Sequence, residues 1–237
     1  MNQQHKFEEY SIDACSEDHK KVLSYILQYF KRWNELDKTP ESVKNFSPLR
    51  MTLCGVAGSG KSTLINTLVT AIRKITRKTN SVHVCGPTGS AAFNAGGETC
   101  HRLFSIRGTI YDSKLSGQAL KTLITKLKNT IALIVDERSM IPAKLLGTME
   151  AYCRQAAFQG TNSHIGWGGM PSVILVGDDY QLPPIKKGAF YCYEERTNGP
   201  NTKVEEQFVQ NGMDLFLEFG LDVMTLAQSK RVLEAQI

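Results

Sequence analysis

The chain has 237 residues, 41% hydrophobic and 22% charged, enough to bury a substantial core in one large domain or two small ones. Its net charge of +5 permits a nucleic-acid partner without demonstrating one. No run of about 18 apolar residues is present, so no membrane-spanning helix is expected, and the polar start MNQQHKFEEY lacks the apolar centre of a signal peptide. The six cysteines (Cys15, Cys54, Cys85, Cys100, Cys153 and Cys192) are scattered without a CxxC pair. That pattern fits reduced packing residues of an intracellular protein better than a zinc site or a disulfide framework.

Residues 1–15 read as a polar leader. In SEDHKKVLSYILQYFKRWNEL, Val22, Leu23, Ile26, Leu27, Phe30 and Trp33 fall on one face at helical spacing, with Ser16 as cap and Glu17 and Asp18 at the positive end. DKTPESVKNFSP breaks the pattern as a linker loop, which makes 16–48 an N-terminal helix and linker. Beyond it strands and helices alternate. LRMTLCG, SVHVCG, IALIVD and PSVILVG are short apolar strands, and LDVMTL is a candidate fifth. KSTLINTLVTAIRKI, TCHRLF and PAKLLGTMEAYCRQAAF read as helices, and the glycine-rich GTNSHIGWGGMP as a mobile surface loop. The alternation predicts an α/β fold, a parallel sheet with helices on both faces.

Between the first strand and its helix stands GVAGSGKS, Gly55 to Ser62, which fits G-x-x-x-x-G-K-[ST] in the context that motif requires. Glycines let the backbone curl so that its N–H groups converge on phosphate oxygens, and the helix start adds its positive end. Gly55, Ala57, Gly58, Ser59, Gly60, Lys61, Ser62 and Thr63 therefore form the candidate nucleotide cradle of a P-loop NTPase. Lys61 brings a charge to the terminal phosphates, and Ser62 offers a hydroxyl to Mg²⁺. IALIVDE supplies the acidic partner: Asp136 would hold the metal, and Glu137 would orient and deprotonate an attacking water. A glycine-rich turn and a helix-capping acid pair are the plainer alternatives, and the joint occurrence argues against both.

VGDDYQLPPI ends another apolar strand, and parallel strands present their carboxyl ends to one crevice. Gln181 can thus reach a terminal phosphate, and Pro183 and Pro184 stiffen the backbone behind it. A motor needs such a loop to carry a small change at the phosphate elsewhere.

Taken in order, GVAGSGKS, GPTGSAAFNAGGETCHRLF, LIVDERSM and GGMPSVILVGDDYQLPPI resemble the petite-integration-frequency family of superfamily-1 DNA helicases, relatives of the RecD helicases. The resemblance implies a RecA-like ATPase domain over 49–237, using ATP and Mg²⁺ to drive 5′-to-3′ movement on single-stranded DNA and at duplex junctions. It also implies roles in repair, recombination or telomere maintenance, in a nucleus or mitochondrion. Lys61, Ser62, Asp136, Glu137 and Gln181 match the family's hydrolytic set. In LAQSKRV, Arg231 matches an arginine that approaches the terminal phosphate. The DNA-gripping segment is matched by Pro87, Thr88 and Gly89, which follow a strand and offer backbone N–H groups plus a hydroxyl to a DNA phosphate. Phe93, His101 and Phe104 offer flat faces to bases, although both phenylalanines would suit a core equally and His101 a plain surface.

Three positions depart from the family pattern. His19 stands where a glutamine usually reads adenine, Arg138 where an apolar residue is common, and Asp179 where an aromatic or proline is usual. The chain also stops at Ile237, just after the fourth motif, where a second RecA-like domain would need about 100–200 further residues. The expectation is a first motor domain, of unknown oligomeric state, that binds ATP weakly and unwinds little by itself. A nucleotide or polynucleotide kinase and a non-catalytic DNA-binding remnant are the competing readings. A kinase should show an arginine-rich lid, and decay should have removed Lys61, Asp136 or Glu137.

Overall fold

A computed structural model describes residues 15–107, 114–156, 165–178, 180–181 and 203–227. Helix α1 (Glu17–Glu35) starts where expected: Ser16 caps it, its Oγ accepting from the His19 N–H at 3.4 Å. The stretch expected to be a plain linker holds a short helix, α2 (Pro40–Asn45). Thr39 caps it by accepting from the Ser42 N–H, and Pro40 sits at the helix start, where its missing N–H removes nothing. Then come β1 (Leu49–Gly55), α3 (Lys61–Thr76), β2 (Val82–Gly86), α4 (Gly89–Asn94), β3 (Glu98–Thr99) and α5 (Cys100–Leu103). They are followed by α6 (Gly117–Leu127), β4 (Ala132–Val135), α7 (Ala143–Ala156), β5 (Ser172–Gly177), α8 (Lys203–Phe219) and β6 (Val223–Leu226).

The sheet has six strands in the order β3-β2-β4-β5-β1-β6, and every pairing is parallel. Residues 223–226 are indeed a strand, and the two-residue β3 is an addition to the expected five. Because side chains alternate across a strand, each central strand feeds two cores. Met51, Leu53, Ile134, Ile174 and Val176 face α1 and α3, meeting Ile26, Phe30, Leu64 and Leu68. Leu133, Val135, Val173 and Leu175 face the other way, toward Leu103, Leu123, Leu146 and Phe219. Each such side chain contributes about 1.5–3 kcal/mol on burial, and a strand buried on both faces reads as an unbroken apolar run.

The glycine-rich loop is a second departure. Of it, 160–164 lie outside the described residues, but Gly166–Gly169 form a tight turn with Trp167 1% exposed against Phe219. The Trp167 N–H donates to Glu150 Oε1 at 3.0 Å, and buried Glu150 also accepts from Arg154 and Asn211. The turn is a plug in the core and no loose surface loop. Helices α7 and α8 cross so closely that a Cβ at Gly212 would run into the Ala143 carbonyl.

This order aligns the carboxyl ends of β2, β4, β5 and β1 along one edge. Gly86, Val135, Gly177 and Gly55 lead from there into the Pro87–Gly89 segment, the acidic pair, the Asp178–Gln181 turn and the glycine-rich loop.

Candidate active site

The loop after β1 wraps as its glycines predict. Gly58 and Gly60 take φ of 82° and 84°, backbone that side chains with a Cβ rarely adopt. Gly60 caps α3 without any side-chain hydrogen bond, and no acid stands in the helix's first turn. The first N–H groups of α3 therefore face outward with a positive end behind them, a site suited to an anion. The Lys61 ammonium lies in the mouth of this loop, donating to the carbonyls of Gly55 at 2.7 Å and Val56 at 3.2 Å. Ser62 is exposed one residue on, and Thr63 is half-buried.

His19 does not offer a free edge to a base. It is 2% exposed, and its Nε2 lies 2.9 Å from the Ser59 carbonyl. A carbonyl only accepts, so Nε2 carries the proton. This corrects the expectation of a base-reading histidine: the ring is committed to the backbone of the glycine-rich loop.

Asp136 sits at the end of β4 and is 5% exposed. Burial pushes its carboxyl up from 3.8 to about 6, and the Glu137 charge adds to this, while the Glu137 N–H at 2.9 Å and Lys61 oppose it. The Asp136 carboxylate and the Ser62 hydroxyl are hard-oxygen donors of the kind that suits Mg²⁺, which takes few protein ligands and completes its shell with phosphates and water. Among the described residues no group of three or more His, Cys, Asp or Glu side chains is placed to hold a metal ion. Glu137 adopts φ 54°, ψ 46°, left-handed backbone that is uncommon outside glycine and costs a non-glycine residue about 1–3 kcal/mol. Arg138 is buried, its guanidinium reaching Thr52 Oγ1 at 3.4 Å and Cys54 Sγ at 3.5 Å, so it ties the acidic loop to β1.

After β5 the chain makes an Asx turn that the sequence reading did not single out. Asp178 Oδ1 accepts from the Tyr180 N–H at 3.1 Å, and the Asp178 carbonyl accepts from the Gln181 N–H at 3.1 Å. The turn leaves Tyr180 96% exposed and puts Gln181 on the wall of an open cavity of about 500 Å³. Glu137, Met140, Thr88, Ser90, Ala91 and Asn94 share that wall. The acid and the glutamine thus meet the β2–α4 connection in one space.

The candidate DNA residues divide. Proline has no N–H, so Thr88 and Gly89 supply the donors of the Pro87–Gly89 segment. The Thr88 hydroxyl is also engaged as the α4 cap, accepting from the Ala91 N–H at 3.2 Å. Phe93 is 62% exposed. Phe104 is fully buried beside Leu103 and Cys100, so it cannot stack on a base; that expectation is corrected to a core role. His101 is half-buried on α5, does not line the cavity, and burial holds its pKa below the usual histidine value. Arg231, Asp179, Pro183 and Pro184 lie outside the described residues.

Residues 33–193 match the family model described as PIF1-like helicase, more than half of the chain. The chain belongs to the PIF1-like helicase family. The ATP-dependent DNA helicase Pif1 of Bdellovibrio bacteriovorus is 35% identical over 159 residues, 64% of this chain and 34% of that protein. The solved structure of unliganded Pif1 from Bacteroides sp. superposes with a TM-score of 0.59 at 27% identity, over 92% of this chain and 42% of the other. Bacteroides Pif1 bound to single-stranded DNA matches with a TM-score of 0.56 at 25% identity, covering 91% and 42%. This PIF1-like chain therefore spans about a third of its curated relative and less than half of the solved chains. The resemblance read from four motifs and the RecA-like parallel sheet are both borne out. Among the described residues no helix is long and apolar enough to cross a membrane.

Proposed function

We propose that the chain is the nucleotide-binding part of a 5′-to-3′ DNA helicase, hydrolysing ATP and coupling that reaction to movement on single-stranded DNA. The observation that carries the reading is the shared cavity: Glu137 and Gln181 border the same space as Thr88, Ser90 and Asn94. The group that activates water is thus next to the segment that would hold a DNA phosphate. ATP phosphates would lie against the N–H groups at Gly58–Thr63, with Lys61 on their terminal charge. Ser62 and Asp136 would hold Mg²⁺, which supplies charge stabilisation to the phosphates. Glu137 takes the proton of the attacking water as its oxygen bonds to the terminal phosphorus and the bridging P–O bond breaks, releasing ADP. Gln181 senses the terminal phosphate from the Asp178 turn. Thr88 and Gly89 contact a DNA phosphate, while Phe93 and the exposed Tyr180 offer faces to bases. An enzyme acting on the cell's DNA in this way works inside the cell.

The test is ATP turnover with and without single-stranded DNA. Turnover stimulated by DNA supports the reading; turnover indifferent to DNA moves the chain to another P-loop enzyme. Lys61→Ala should lose nucleotide binding. Glu137→Gln should keep binding and lose hydrolysis, because an amide preserves shape but accepts no proton. Normal turnover in both variants refutes the site.

A further inference from the structure

Most of α1 is an ordinary buried helix, but its first turn is fastened at three points. Ser16 caps it from below, accepting from the His19 N–H. Asp18 Oδ2 accepts from the Ala227 N–H at 3.1 Å, at the carboxyl end of β6. His19 donates through Nε2 to the Ser59 carbonyl at 2.9 Å, in the middle of the phosphate loop. The fit is close, since a Cβ on Gly60 would stand 2.7 Å from His19 Cε1.

The Ser59 carbonyl and the Gly60 N–H belong to one peptide plane. In a trans peptide they point in opposite directions, and the structure contains no cis bond among its described residues. A hand on the carbonyl is therefore a hand on the amide: while His19 holds Ser59 O, the Gly60 N–H must point away from His19. The restraint matters because one of the two torsions flanking this plane, φ of Gly60, belongs to a glycine and is not confined by a side chain. Without it, this plane turns over at little cost and the loop loses a donor.

We propose that His19 is a positioning residue for nucleotide binding, one that fixes the Ser59–Gly60 peptide so that the Gly60 N–H is aimed at a phosphate. The proposal rests on reading Gly55–Ser62 as the phosphate cradle. It assigns His19 to the phosphates of the ligand and not to its base, which separates it from a base-reading role by experiment. It also gives the first turn of α1 a purpose beyond packing, since Ser16 and Asp18 set the register that brings the ring to Ser59.

The probes are Mg²⁺–ATP and inorganic pyrophosphate, which has phosphates and no base, titrated calorimetrically into the chain and into His19→Ala and His19→Gln. His19→Ala should weaken both ligands by a similar factor, roughly tenfold for one lost aimed donor. His19→Gln, whose amide can donate to the same carbonyl, should recover most of the affinity for both. Loss of ATP affinity with pyrophosphate unchanged would place the ring on the base and overturn the proposal. Lower thermal stability with both affinities unchanged would reduce His19 to packing and overturn it too. Should the alanine variant fail to fold, NMR on the unaltered protein decides. The Gly60 amide must shift on adding pyrophosphate while the His19 Nε2–H signal persists, and disappearance of that signal in the bound state overturns the proposal. Failure of the unaltered chain to bind either probe would instead remove the cradle reading, and the proposal with it.

Discussion

Replacing Asp136 by asparagine should stabilise the metal-free protein at high pH. The carboxyl is 5% exposed and burial raises it from 3.8 to about 6. At 1.36 kcal/mol per pH unit that rise corresponds to at most about 3 kcal/mol. Because the folded value lies above the unfolded one, the native state holds the proton more tightly. The favourable contribution is complete below about pH 3.8 and is lost as pH rises through about 6. At pH 8 the wild-type chain therefore carries an ionised buried carboxylate. The Asp136→Asn variant has a neutral amide there, whose oxygen still accepts from the Glu137 N–H. The variant should gain up to about 3 kcal/mol over wild type at pH 8 and close to nothing at pH 4. For a protein of this size the gain appears as about 6–12 °C in Tm. Urea melts of both proteins in EDTA, at the two pH values, measure it; titrating groups other than Glu137 and Lys61, which interact with Asp136, cancel in the difference. Adding Mg²⁺ and ATP at pH 8 should then raise the stability of wild type more than that of the variant. A stability difference that is the same at pH 4 and pH 8, or a variant less stable at pH 8, would refute the argument from burial.

Gln181→Ala should leave ATP affinity within about twofold while DNA-stimulated turnover falls, read by comparing nucleotide binding with turnover on single-stranded DNA. Phe104→Ala should lower stability by about 3–5 kcal/mol in a urea melt because it empties a fully buried ring site. Phe93→Ala and Tyr180→Ala should each weaken single-stranded DNA binding by about 1–3 kcal/mol in an anisotropy titration and leave the melt unchanged. Gly212→Ala, which drives a Cβ into the Ala143 carbonyl, should destabilise by about 1–3 kcal/mol or more without altering nucleotide affinity in the folded state.

The sheet was legible because its strands are buried on both faces. IALIV and SVILV are runs that a central parallel strand explains well, and each leads directly into the segment that carries residues of the candidate site. Helices α6 and α8 were not read. Lys203–Phe219 has an apolar face, Thr202 and Glu205 in capping-box spacing at its start and Gly220 just past its end, yet its packing depends on Gly212 meeting Ala143 across the chain. The plug at Trp167 misled for a related reason. Glycine in GWGGM signals a turn, yet the reason for that turn is a tryptophan driven into the core and a buried glutamate waiting for its N–H, both contacts with distant residues.

In the candidate site, local backbone geometry was legible and exposure was not. Gly58, Gly60 and Lys61 take the turn and helix start that their own spacing creates. Phe93 and Phe104 are chemically identical eleven positions apart, and one is 62% exposed while the other is fully buried. Nothing local separates them, since α4 turns its phenylalanine outward and the turn after α5 drives its own beneath the sheet. Tyr180 is hidden in the sequence on the same account: its exposure follows from Asp178 closing an Asx turn, a bond visible only once the strand end is placed. His19 was read by its position in a family pattern, as a partner for a base. Its structural partner is a carbonyl forty residues away, and a buried imidazole with one nitrogen committed to that carbonyl fits the positioning role proposed for it. The departure from glutamine then has a physical account: a rigid ring on the first turn of α1 reaches the Ser59 carbonyl with fewer torsions to restrain than a glutamine has.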